Sequence, residues 1–216
     1  MRVTRNMKHW LALGILFQVC QSAGLEAGSI PKPRPRIPFQ AVQPGKGVFL
    51  VAKQGMLDPR FRRSVVLLVA HGPAGTLGVI VNRATDVSLA DVLPQVEKPG
   101  RKARLFYGGP VALDTLMFLI RSEEPLEQTT HVMGDVYFGG DKSTLESLLE
   151  TERESHELRL FVGHAGWAPG QLDSELDRGD WRLFRANAFT VFEKRLDSIW
   201  SDFMEPPKSE REVAAR

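Results

Sequence analysis

The stretch GVFLVAKQGMLDPRFRRSVVLLVAHGPAGTLGVIVNR, Gly47 to Arg83, contains three short valine-rich apolar runs, Gly47–Lys53, Ser64–Ala70 and Leu77–Arg83. Each is too short for a typical helix, is rich in β-branched residues and is bounded by breakers, so each predicts a buried strand. Between the first two, QGMLDPRFRR predicts a loop with a turn at Asp58-Pro59. The glycine-proline segment HGPAGT joins the second and third, which predicts a hairpin.

Downstream, SLADVLP predicts a short helix, with Ser88 as cap, Asp91 three residues on and Pro94 as stop. RLFYGGPV, LMFLIRS and HVMGDVYFGGD each have strand character with glycine turns. KSTLESLLE predicts a helix capped by Ser143, with Glu146 in the box position. LRLFVG predicts a strand; PGQLDSELDRGD predicts a helix with Pro169 in its first turn and Gly179 as stop. WRLFRAN predicts a strand, and FTVFEKRLDSIWSDFM one or two closing helices. Strands joined by hairpins and strands separated by helices occur together, which predicts an α+β fold with a mixed sheet.

The 47–83 block, then YGGPV, then FVGHAGWAPGQLDSELDRGDWRL (161–183) resemble, in order and spacing, the AlgH/YqgE family of bacterial proteins. The first and last blocks are specific; YGGPV is weak alone. The resemblance covers Gly47 to about Met204. It implies a branched mixed sheet curled into a partial barrel with surrounding helices. It implies no established enzymatic activity; the family's name reflects a proposed part in regulating alginate synthesis. Three departures stand out. Members usually begin near the first strand and are cytoplasmic, whereas this chain carries an N-terminal extension. Asn82-Arg83-Ala84 stands where an asparagine-arginine-proline run is common, and Gln54-Gly55 where a proline is common.

The extension has two parts. Arg2, Arg5 and Lys8 precede the uncharged stretch Trp10–Val19 and a run of small residues, the pattern of a secretory signal, expected over residues 1–24. Residues 25–44 hold five prolines and predict an extended linker of polyproline II character. The domain is expected at 45–204 and a disordered tail at 205–216. Export to the periplasm or beyond is therefore the expected location, with the cytoplasm, as is usual for the family, the alternative; membrane contact is expected only during export.

The chain carries 28 basic and 26 acidic residues, with a pI near 8.8. Six of the bases and one acid precede Gly45, which leaves 22 against 25, a net −3, for the rest. Counterion-release binding to phosphates needs a cationic face, so nucleic acid is not an expected partner. The lone cysteine, Cys20, lies in the signal-like segment, so the domain has no thiol for disulfide or metal chemistry.

The joint between strand and helix in FVGHAGWAPGQLDSEL is the best site candidate. Gly163, Gly166 and Gly170 permit close approach of a ligand, His164 offers a titratable group, Trp167 offers an aromatic wall, and the helix start near Gln171 has free N–H groups. Those same residues also read as structure: glycines for a bend, Trp167 as core, Leu172 and Leu176 as helix anchors. The candidate ligand-binding set is Gly163, His164, Gly166, Trp167 and Gln171. No catalytic residue, metal site or cofactor is expected. Ser64 lacks a nucleophile elbow, and His71, His131, His156 and His164 lack zinc spacing. YFGGDKST lacks the gap of a phosphate loop, and Asp173, Glu175, Asp177 and Asp180 suit a solvated helix face. The expected function is that of a non-enzymatic binding or regulatory protein that holds a protein, peptide or small ligand in a groove. A hydrolase using His164, and a nucleic-acid-binding transcriptional regulator, are the alternatives.

Overall fold

The computed structural model describes residues 42–93, 104–150 and 157–205. The expected signal, most of the linker and all but the first residue of the tail lie outside them, as does Pro94. The strands are β1 Val48–Ala52, β2 Val65–Gly72, β3 Gly75–Ile80, β4 Ala84–Ser88, β5 Arg104–Tyr107, β6 Val111–Arg121, β7 Thr129–Met133, β8 Val136–Gly139, β9 Leu158–Trp167 and β10 Trp181–Arg185. The helices are α1 Leu89–Val92, α2 Lys142–Leu149, α3 Gln171–Asp177, α4 Ala188–Phe192 and α5 Leu196–Met204, with a 3-10 turn at Pro59–Phe61. No helix among the described residues is long and apolar enough to cross a membrane.

The fold is the expected α+β type. The sheet runs β10-β1-β2-β3-β9-β6-β8-β7, with β5 paired to β9 and β4 to β5. All pairings are antiparallel except β5–β9, which makes the sheet mixed. Branching occurs at β9. Its first half, Leu160–Val162, pairs with β5, and its last residues, Ala165–Trp167, pair with β3. The sheet is not closed but curls: a Cβ on Gly47, just before β1, would lie 3.0 Å from the Val132 carbonyl oxygen in β7, the opposite end of the strand order.

Curling places alternate residues on two sides. Inside lie Phe49 and Val51, Leu67 and Val69, Val79 and Val81, with Leu119 and Phe161; helices α4 and α5 cap this core through Phe192 and Ile199. Outside, Leu50, Val66, Leu68 and Ile80 are covered by α3 through Leu172, together with Trp167 and Trp181. A third cluster, Phe118, Ile120 and Leu160 among others, is covered by α2 through Leu145, Leu148 and Leu149.

Several boundaries differ from expectation. β9 does not stop at Gly163 but continues to Trp167, so Gly163 and Gly166 lie within the strand. Pro169 stands ahead of helix α3, whose N-cap is Gly170 at φ 73°, while Gly179 (φ 68°) does follow the helix end. Asp141, not Ser143, caps α2: its carboxylate accepts from the Thr144 N–H at 2.9 Å, and the Ser143 hydroxyl merely donates to it. Glu146 pairs with Lys142 instead of closing a box. Val111, the last residue of YGGPV, and the run LMFLIR join in β6, whose pairing with β9 shifts register between Val111 and Leu116, while Tyr107 closes β5. β4 went unforeseen because ATDVS is polar and half-exposed.

Candidate functional site

The glycines of YGGPV and FVGHAG explain one another. A Cβ on Gly108 would sit 2.2 Å from the Gly163 carbonyl oxygen, and one on Gly109 2.2 Å from the His164 carbonyl carbon. Gly108 also bridges two strands: its N–H donates to Val162 and its carbonyl accepts from the Ile80 N–H. The two backbones cross in contact at the branch of the sheet, where a side chain cannot fit. Gly163, at φ 67°, is buried in this crossing.

Beyond the crossing, a cleft of about 660 Å³ opens between the loop after β1, the 3-10 turn and α3. Its floor is aromatic. Phe61 stacks on Trp167 with centroids 6.2 Å apart and meets Trp181 edge-on at 5.5 Å, while the two tryptophans meet edge-on at 6.0 Å. Both indole N–H groups donate to Oε2 of Glu175, at 2.8 Å from Trp167 and 2.7 Å from Trp181. Oε1 of the same carboxylate accepts from the Gln171 side-chain amide at 2.9 Å, and the Gln171 amide oxygen accepts the Ala168 N–H. A single carboxylate thus fixes both rings and ties helix to strand end.

The rim carries both signs of charge. Lys53 donates to Asp180 at 2.6 Å and Arg178 pairs with it at 3.0 Å; these cations hold the Asp180 carboxyl below the usual carboxylate range. Arg60 does the same for Asp58, which also caps the 3-10 turn. Leu57, 85% exposed, stands on the rim as an uncovered aliphatic side chain.

Of the five candidates from sequence, Gly166, Trp167 and Gln171 line this cleft. Gly163 and His164 are not among its lining residues. The His164 ring packs near Gly166 and Val111, its Nδ1 is buried without a hydrogen-bond partner among the described residues, and burial pushes its pKa down. Phe61, Trp181 and Glu175 were missed, since they come from a loop, a following strand and a helix face that read as solvated. Glu175 and Asp180 are in fact bound into the site. The Ser64 hydroxyl donates to the Phe61 carbonyl, and His71 Nδ1 pairs with Thr76 across the β2–β3 hairpin. Among the described residues no group of three His, Cys, Asp or Glu side chains could hold a metal ion.

This fold and these blocks define a known class. The AlgH-like family model (DUF179) matches residues 49–210, so the chain belongs to the AlgH-like family. A UPF0301 protein of Cytophaga hutchinsonii is 35% identical over 161 residues, covering 74% of this chain and 87% of the relative. One from Mycolicibacterium smegmatis is also 35% identical, over 71% of this chain and 78% of its own. Among solved structures, AlgH from Pseudomonas aeruginosa matches with a TM-score of 0.64 at 26% identity, over 82% of this chain and 97% of that one. Protein DIP2367 from Corynebacterium diphtheriae matches with the same TM-score at 28% identity, over 78% and 91%. The biochemical role of the family is uncharacterised.

Proposed function

We propose that the protein is a non-enzymatic binding protein, regulatory in role, and that the Trp167–Trp181 cleft captures a short peptide segment of a partner protein. The observation that carries this reading is the pre-set aromatic floor, with both indoles pinned by Glu175, beside the exposed Leu57. A rigid apolar floor costs little conformational entropy on binding. The mixed rim, with Lys53 and Arg178 near Asp180 and Glu175, suits a peptide of mixed charge with an apolar anchor better than a polyanion. The signal-like residues 1–24 support an exported setting, and a fusion of residues 1–44 to an export reporter tests it. Selection of peptides from a displayed random library tests the binding role. Capture by the full chain, lost in Leu57→Asp without a change in melting temperature, supports it; equal capture by both overturns it.

A further inference from the structure

The loop Arg60-Phe61-Arg62-Arg63 is clamped by Asn82 and Arg83, which follow β3. Arg83 donates to the Arg60 and Arg62 carbonyls, Asn82 donates to the Arg63 carbonyl at 2.9 Å, and Asn82 accepts from the Val65 N–H at 2.9 Å. Held this way, Arg63 adopts φ 55°, a left-handed conformation that a residue with a side chain adopts only at a cost. The result is two adjacent exposed arginines aimed at one place. Arg63 lies over the Trp200 indole, 5.1 Å from its centroid, and Arg62 Nε donates to the Met56 carbonyl. Trp200 is itself fixed by its N–H, which donates to Ala52 at 2.7 Å.

Around them is a second concavity, about 490 Å³, separated from the aromatic cleft by the turn from Lys53 to Leu57. No acidic side chain lines it, and neither Arg62 nor Arg63 has an ion-pair partner among the described residues. Two adjacent guanidiniums without an acidic partner among the described residues, on a domain whose balance is acidic, point to an anionic ligand. Guanidinium forks match the oxygens of a phosphate, and two of them match the charge of about −2 on a phosphate monoester. An arginine stacked on an indole presents its outer face to a further ring. The volume lies within the roughly 300–1,000 Å³ of small-molecule sites.

We propose that Arg62, Arg63, Trp200 and the Gln54–Gly55 turn form a binding site for a small aromatic phosphate of nucleotide size. The phosphate sits between the two guanidiniums and the ring lies along the Arg63–Trp200 stack. The site shares Lys53, Met56 and Leu57 with the rim of the aromatic cleft, but Arg62, Arg63 and Trp200 line it alone, and the proposal does not depend on peptide capture.

The test is titration of phenyl phosphate and AMP into the full chain, followed by calorimetry and by the Trp200 indole N–H resonance. Both compounds shift that resonance to saturation, and benzoate, with one charge fewer, binds at least several-fold more weakly. Arg62→Ala and Arg63→Gly each weaken binding by about ten-fold or more, the loss expected for a charge-assisted hydrogen bond. Glycine at 63 keeps the left-handed backbone, so the loop survives the change. Lys142→Ala, which removes an exposed cation on α2 outside both concavities, leaves the affinity unchanged. Absence of any Trp200 shift with either phosphate, or undiminished binding in both arginine variants, overturns the proposal.

Discussion

Trp167, the last residue of β9, and Trp181, the first of β10, donate their indole N–H groups to the same oxygen of Glu175. Both rings are about 95% buried, so neither N–H has water to fall back on. Removing the acceptor in Glu175→Ala is expected to cost about 3 kcal/mol, the order of two buried donors left unmet. Glu175→Gln retains an acceptor and should cost about 1 kcal/mol. Denaturant unfolding followed by tryptophan fluorescence measures both.

The glycine crossing predicts a sharp contrast between two substitutions. In Gly109→Ala the new methyl would overlap the His164 backbone, and backbone cannot step aside. That variant should lose at least about 3 kcal/mol or fail to fold. Gly170→Ala, at positive φ but with open space around it, should lose only about 1 kcal/mol. Soluble yield and melting temperature of the pair distinguish overlap from mere backbone strain.

Asn82 satisfies a donor and an acceptor on the same loop, the Val65 N–H and the Arg63 carbonyl. Asn82→Ala should destabilise by about 2 kcal/mol. It should also release Arg63 from its left-handed conformation, visible as faster amide exchange across residues 62–65.

His164 carries a pH signature. Its imidazole is pushed below its ordinary value by burial, so the unfolded chain binds this proton more readily than the folded one. Stability from this group is therefore present in full above the ordinary histidine value of about 6.5 and falls as pH drops from there to its folded value. Thermal melts of His164→Leu should show a flatter pH dependence in that window than the unsubstituted chain. An unchanged slope contradicts the burial argument.

How much of this was legible beforehand depends on how local the signal was. The inner-core strands β1, β2 and β3 are continuous apolar runs, and the hairpin between β2 and β3 turns at the glycines of HGPAGT, so pattern alone finds them. β4 pairs only with β5 and is half-exposed, so ATDVS has no apolar run to betray it. The cap of α2 was misplaced by two residues because Asp141 and Ser143 are both competent, and only geometry shows which carboxylate or hydroxyl reaches the Thr144 N–H. Within the cleft, Gly166, Trp167 and Gln171 are neighbours in sequence and were found together. Phe61, Trp181 and Glu175 arrive from other segments, and Glu175 looked like one of several acids on a wet helix face. Its spacing from Gln171, one helical turn, was the available clue.

Leu57 offers the most direct trial of peptide capture. Being 85% exposed, it can change to aspartate with little effect on folding, so any loss of binding reports on the cleft itself. Dissociation constants of library-selected peptides should rise at least about ten-fold for Leu57→Asp, the scale of one lost apolar anchor, while the melting temperature stays the same. Equal affinity for both proteins would mean that the aromatic cleft is scaffold and that capture, if any, happens elsewhere.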